Sequence, residues 1–560
     1  MTNQLGVKVE SGGVKANGYC TPVADTVPQK MSVPPKRVLP IIFLPGIMGS
    51  NLRMTAERQA LLSYTNNVAW RPDDLSEGTA LLRATAADRQ LQLDPDTTEV
   101  DIYDPTGPTG NKSITAGRRH TLNGIDVHLN VGVNTPLLID DPVTDGHRHT
   151  KEMKARERGW SEIYFDSYRR VLELCEENLN MPIAYGYWRE IVDVDPQQWR
   201  AAPSPALKPL SLDEIKTAVA GCWFPVHAMG YNWLKSNRDS AVEVAGRIRA
   251  LIAKYSEKYT CEKVIVVTHS MGGLVGRALV HPEMGALESQ VLGIVHGAMP
   301  AIGAPAAYKR MRCGFEEGVL GVSVAAKVLG NYGDEVTAVL GNARGGLELL
   351  PSKAYGNGWL EIRKDDAVLQ RLPVHGDPYA EIYQLRGKWF GLLREEWLNP
   401  GHLDDRGFEH TCELLQRAKA FHESINSTYH SRSYAHYSAE TARASWASVS
   451  WNLDKKYQGN DWQNLTVTTD SRQGKFKVRD PSATKEPRVW DVSLGPSVGP
   501  GDQTVPLRSA EHQLLSGKFS GVFRQVGYEH QNSYQDPNAL KSTLYSLIRI
   551  IETMSWCKHA

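Results

Sequence analysis

Net charge is missing from this 560-residue chain, because 63 Lys and Arg offset 63 Asp and Glu. Without a broad field of one sign nothing draws in nucleic acid, so no nucleic-acid partner is expected, although local patches leave an anionic lipid surface open. Long apolar runs are missing too. The stretch from Val38 to Met48 is short and broken by Pro40, Pro45 and Gly46, and the first forty residues hold no apolar segment of the kind a leader peptide needs. Neither a Sec signal nor a membrane anchor is expected, which places the chain in the cytoplasm of the producing cell. Cysteine is scarce and scattered. The seven cysteines form no C-x-x-C pair and have no histidine at metal-ligand spacing. They read as free thiols of a reducing compartment, at least one of them necessarily unpaired within the chain. Acidic doublets such as Asp140-Asp141 and Glu395-Glu396 read as solvated faces rather than calcium sites. No metal and no cofactor is expected.

What the chain does hold is Lys263 to Leu279, KVIVVTHSMGGLVGRAL. An apolar β-branched run, a tight turn with Ser270 at its apex and a glycine-crowded helix start make a nucleophile elbow, in which a strained turn projects the serine hydroxyl above a sheet. Gly272, Gly273 and Gly276 let the helix approach the strand. Position 268 departs from G-x-S-x-G, carrying Thr where glycine is usual.

Around this stretch the chain alternates strand and helix. Apolar strands are predicted at Arg37–Leu44, Trp223–Tyr231, Val264–Val267 and Val291–Val295, with an amphipathic helix carrying Val244, Ile248, Leu251 and Ile252 on one face. Such alternation predicts an α/β fold with a mostly parallel sheet and helices on both faces. The expected divisions are a flexible tail over 1–36 and a first core part over 37–305 with a surface insertion at about 53–158. An inserted cap or lid domain over 306–480 and a last core part over 481–560 complete them. Within the cap, Phe315, Val319, Leu320, Val322, Val324 and Leu329 form either a mobile apolar lid that opens on lipid or ordinary buried core.

A serine hydroxyl needs a base within hydrogen-bond reach and a carboxylate to fix that base's tautomer. Asp502, in the Gly499–Pro506 turn after the Val489–Val492 run, is the candidate acid. His530, in the loop between the Phe519–Val526 strand and the closing helix, is the candidate base; His512 competes from within a helix. His269, expected to face away from the nucleophile, and His296 read as structural. The backbone N–H groups of Ile47, in the Pro45–Ser50 turn, and of Met271, at the elbow, are the candidate oxyanion donors.

Taken together, Pro45-Gly46-Ile47-Met48-Gly49-Ser50, Gly230-Tyr231-Asn232-Trp233, the elbow, Leu349-Leu350-Pro351 and Gly501-Asp502-Gln503-Thr504-Val505-Pro506 resemble the lecithin:cholesterol acyltransferase and bacterial lipase group of α/β hydrolases. Gln503 departs from the related pattern, which has a second glycine. The resemblance implies an α/β-hydrolase fold, Ser270, Asp502 and His530 as a triad, and action on acyl esters of lipids. It extends to the antibacterial phospholipase effectors of type VI secretion. That narrower likeness implies phospholipase A activity on a target membrane, a cognate immunity protein, a secretion-apparatus partner and delivery to a target cell's periplasm. A lipid acyltransferase, a cytosolic carboxylesterase and a catalytically silent binding protein on the same fold are the alternatives.

Overall fold

Residues 6–10, 13–18, 29–33, 35–72, 83–103, 151–180, 187–315, 328, 330–365, 367–482 and 488–556 are described by the computed structural model of the chain. Six strands make the central sheet: β1 (Ile41–Leu44), β2 (Val226–Ala228), β3 (Val264–His269), β4 (Val291–Gly297), β5 (Ser433–Ser438) and β6 (Phe519–Gln525). Their order across the sheet is β2-β1-β3-β4-β5-β6, and every neighbouring pair is parallel.

Burial on both faces explains why these strands read as unbroken apolar runs. Ile42, Leu44, Val264 and Val266 enter one hydrophobic core, while Ile41, Phe43, Ile265 and Val267 enter the other. Helices cover each side. On the first face lie α1 (Asn237–Ser256) and α2 (Gly272–Val280), on the second α3 (Phe165–Asn180) and α4 (Pro537–Ile551). The closing helix shows how the sequence sets the packing. Asp536 caps it by accepting from the Asn538 and Ala539 N–H groups, Pro537 opens its first turn, and Leu540, Leu544, Leu547 and Ile548 recur on one face. All four are fully buried, and each such side chain contributes about 1.5–3 kcal/mol.

Three expectations need correction. The 306–480 segment is not wholly an insertion, since β5 lies inside it and is a strand of the central sheet. Its sequence SYAHYS carries too few aliphatic residues to register as core, yet all six residues are buried. Conversely, Val489–Leu494 belongs not to the central sheet but to a second six-stranded sheet with Leu360–Lys364, Ala367–Leu372, Val449–Leu453, Thr466–Asp470 and Lys475–Arg479. That sheet is antiparallel except where Leu360–Lys364 pairs with Val449–Leu453. At the N-terminus, Gly6–Glu10, Gly13–Gly18 and Gln29–Val33 form a three-stranded antiparallel sheet in place of the flexible tail. Val7 and Val9, then Val14 and Ala16, alternate across Ser11-Gly12-Gly13, a hairpin signal that the polar composition obscured.

In the 53–158 region, Leu52–Met54 is flanked by Val68–Trp70 and Thr98–Val100 in a small antiparallel sheet. The strand-like fragment at 125–131 lies outside the described residues, as do five of the six lid candidates, Val319, Leu320, Val322, Val324 and Leu329. Among the described residues no helix is long and apolar enough to cross a membrane.

Candidate active site

The elbow forms at the C-terminal end of β3. Ser270 sits at φ 53°, a left-handed conformation that a residue with a Cβ rarely adopts, and its N–H donates to the Gly297 carbonyl of β4 at 2.9 Å. The close crossing needs glycine at position 272, where a Cβ would lie 2.4 Å from the Pro45 carbonyl oxygen. Thr268 is accommodated by the helix rather than by the turn. A Cβ at Gly276 would come within 3.2 Å of the Thr268 methyl, so the glycine leaves the room that the threonine fills. The Thr268 hydroxyl also lies 3.1 Å from His296 Nδ1, which accounts for a polar group in that apolar crossing. Burial, with Arg277 and His430 nearby, pushes the His296 imidazole down to about 3.

Ser270, His530 and Asp502 come together although 260 residues separate the first two. Ser270 Oγ is 2.7 Å from His530 Nε2, and His530 Nδ1 is 2.7 Å from Asp502 Oδ2. A carboxylate accepts only, so Nδ1 carries the proton and Nε2 presents its lone pair to the serine hydroxyl. The other carboxylate oxygen of Asp502 accepts from the N–H groups of Thr504 (3.0 Å) and Val505 (2.6 Å). The Asp502 turn reaches this place by docking beside β5, where the Gly501 N–H donates to the Glu440 carbonyl and Ser438 Oγ donates to that of Gly501. His512 is elsewhere, 3.2 Å from the Tyr429 hydroxyl.

The Pro45–Ser50 turn follows β1 and crosses the elbow so closely that a Cβ on Gly46 would lie 3.0 Å from Ser270 Cβ. It is held from three sides. Tyr231 donates its hydroxyl to the Pro45 carbonyl at 2.7 Å, Trp70 donates Nε1–H to the Met48 carbonyl at 2.7 Å, and the Gly46 N–H donates to the Tyr168 hydroxyl at 3.1 Å. Tyr231 and Trp233 belong to the Gly-Tyr-Asn-Trp stretch. Its role is thus to brace this turn, since Trp233 Nε1–H reaches the Ser50 carbonyl at 3.3 Å. The N–H groups of Ile47 and Met271 have no hydrogen-bond partner among the described residues.

Three side chains escaped the reading by residue type: Tyr168, Trp70 and His269. Nothing local marks the first two, because their partners are backbone groups 122 and 22 residues away. His269 does not face away from the nucleophile as expected. Its ring lies 5.0 Å from that of His530, and its two nitrogens reach the Tyr168 hydroxyl and the His530 carbonyl, both at 3.0 Å.

Above the serine opens a cavity of about 550 Å³. Ile47, Met48, Met311, Phe315, Val328 and Leu340 give it a largely apolar lining, to which Asp166, Ser167 and Gln531 add polar groups. Such a shape suits a long acyl chain with a polar head. A hydroxyl hydrogen-bonded to an imidazole, itself oriented by a buried carboxylate, can attack an acyl carbon, and free N–H groups beside it can receive the resulting negative charge.

A parallel α/β sheet of this order with an elbow after its third strand defines the α/β-hydrolase fold. The chain is related to the lecithin:cholesterol acyltransferase group: residues 225–375 match that family's model, a span that contains the elbow and ends before Asp502 and His530. Among solved structures, the crystal structure of the Tle4-Tli4 complex is similar over 93% of this chain and 99% of that chain, with TM-score 0.71 and 29% identity. No curated protein matches the sequence. These similarities support a lipase-class enzyme, an acyl-ester hydrolase or acyltransferase.

Proposed function

We propose that the chain is a serine phospholipase that cleaves acyl ester bonds of membrane phospholipids, with Ser270 as nucleophile, His530 as general base and acid, and Asp502 holding the imidazole. The observation that carries this reading is the pair of 2.7 Å contacts joining the three side chains at the floor of the apolar cavity. Ser270 Oγ attacks the acyl carbon and passes its proton to His530 Nε2, while the Ile47 and Met271 N–H groups receive the oxyanion. Collapse expels the lysolipid alcohol, which takes the proton from His530. Water then attacks the acyl-enzyme with His530 again accepting a proton, and the fatty acid leaves as that proton returns to Ser270.

Phospholipid is favoured over neutral ester by Arg310. It is the one arginine or lysine among the described residues lining the cavity, held at the rim by donating to Thr504 Oγ1 at 2.8 Å and stacked 4.8 Å over the Phe315 ring. A guanidinium there can meet a phosphodiester. Similarity to a chain crystallised in the Tle4-Tli4 complex supports the further reading of an antibacterial type VI effector with a dedicated protein partner.

The test is incubation of wild type and Ser270→Ala with mixed phospholipid vesicles, followed by identification of released fatty acids. Serine-dependent release is expected, and its absence from every lipid class sinks the reading. The family match favours a second outcome, acyl transfer to an alcohol. Added sterol or lysolipid would then divert the acyl group from free acid to ester.

A further inference from the structure

We infer that Tyr168 and His269 are positioning residues that lock the loop bearing His530 to the turn bearing the Ile47 N–H; the inference rests on the hydrolase reading above. The chain of contacts fixes its own protons. The His530 carbonyl accepts only, so the 3.0 Å contact from His269 Nε2 requires the proton on Nε2. His269 Nδ1 is then a bare lone pair, and the Tyr168 hydroxyl 3.0 Å away must donate to it. With its proton committed, that oxygen accepts the Gly46 N–H at 3.1 Å. One carbonyl thus sets every donor and acceptor from the base loop to the oxyanion turn. Both residues are 1% exposed, so a lost link leaves a buried polar group unpaired. Burial, with His530 as next neighbour, holds the His269 imidazole well below its ordinary value, which keeps the required neutral form.

The Gly46 end of the chain matters because of peptide geometry. The Gly46 carbonyl accepts from the Gly49 N–H at 3.0 Å, and its N–H is tied to Tyr168. A planar trans peptide fixes the Ile47 N–H once the Gly46 carbonyl is fixed. A second contact ties the base loop to α3 beside Tyr168, since Gln531 donates to Ser167 Oγ at 3.0 Å. The spacing between the base and the oxyanion donor is therefore held from α3 and the elbow rather than by the two loops themselves. Removing the Tyr168 hydroxyl strands the Gly46 N–H and leaves the His269 Nδ1 lone pair without its donor.

The experiment measures kcat and KM of the full chain on soluble p-nitrophenyl butyrate, together with Tm, for Tyr168→Phe, His269→Gln, the double variant and Tyr545→Phe. The last removes a buried hydroxyl on α4 that donates to the Lys208 carbonyl, far from the site. Each single change at Tyr168 or His269 is expected to lower kcat about 10- to 100-fold with KM within about twofold. The double variant is expected to be no slower than the worse single, because a broken chain cannot break twice. Tyr545→Phe should leave kcat within about threefold. Folded singles with unchanged kcat, or single losses that multiply in the double, would overturn the inference. If Tyr168→Phe does not fold, His269→Gln decides by the same kcat and KM criteria. Wild type without Ser270-dependent turnover overturns the hydrolase reading and this inference together, whereas normal wild-type turnover with unimpaired variants overturns this inference alone.

Discussion

The central sheet and the second sheet have six strands each, and they are built on opposite rules. In the first, consecutive residues of a strand are buried on alternate sides, so Ile41–Leu44 and Val264–His269 are buried throughout. In the second, Lys475–Arg479 alternates exposed and buried residues, Lys475, Lys477 and Arg479 outward against Phe476 and Val478 inward. The first positions Ser270 and His530 at the ends of its own strands. The second contributes no proposed catalytic residue, yet the chain leaves it at Leu494 and enters the Asp502 turn within eight residues. The proposed acid is thus reached by way of a separately built layer, while its turn docks beside β5 of the central sheet.

The largest effect tests the acid itself. Asp502→Asn should lower kcat about 10⁴-fold with Tm little changed, because the amide oxygen can keep the Thr504 and Val505 N–H groups while the NH₂ meets His530 and enforces the wrong tautomer. Steady-state kinetics and a thermal melt check this together. Next comes a change confined to the second sheet. Trp451 is fully buried there against Phe476, with Nε1–H donating to the Tyr308 hydroxyl at 2.9 Å. Trp451→Ala should cost about 3–5 kcal/mol by denaturant titration and lower activity as well. Full activity in a destabilised protein would show that the second layer does not align Asp502. Where α2 crosses the central sheet, Gly272→Ala should cost about 3 kcal/mol, since its Cβ would press on the Pro45 and Leu44 carbonyls. Smaller still, Arg310→Gln should lower the ratio of phosphatidylglycerol to diacylglycerol hydrolysis about tenfold, read in one competition assay.

The last effect is a pH slope. His296 and His436 on the central sheet are pushed by burial down to about 3, and His422, on the Phe408–Ile425 helix, to about 4. Unfolded, each titrates near its ordinary value of about 6.5. Below that pH the unfolded chain binds protons that the native chain refuses, so stability is complete above about 6.5 and declines as pH falls toward 4. Melts at pH 7.5 and 5 should show the lower Tm at pH 5. Equal values would mean these imidazoles are not buried neutral.

What the sequence made legible follows the same division. Apolar runs buried on both faces stood out, so β1, β3, β4 and the closing helix were readable, and with them Ser270. Asp502 and His530, singled out by order along the chain and by position in turns, lie within hydrogen-bond reach of each other and, through His530, of Ser270. The strand SYAHYS was not readable, because tyrosine, histidine and serine fill it where aliphatic residues were sought. Val489–Leu494 reads as a strand of the central sheet but belongs to the second, since a half-apolar strand looks alike in either. Tyr168 and His269 stayed unrecognised for another reason: their work is done through partners' backbone atoms, which leave no trace in residue type.

The fit of Thr268 against Gly276 has a consequence for how this elbow tolerates change. The vacancy usually left on the strand, two residues before the serine, has been moved to the helix, six residues after it, so the two positions form one steric variable. Reducing Thr268 to glycine alone would open a void and leave His296 Nδ1 unpaired, and adding a Cβ at Gly276 alone would press on the Thr268 methyl at 3.2 Å. Only an exchange made at both sites together keeps the volume constant. The signature of this nucleophile turn is therefore a correlation between two positions on facing elements, with neither residue alone diagnostic.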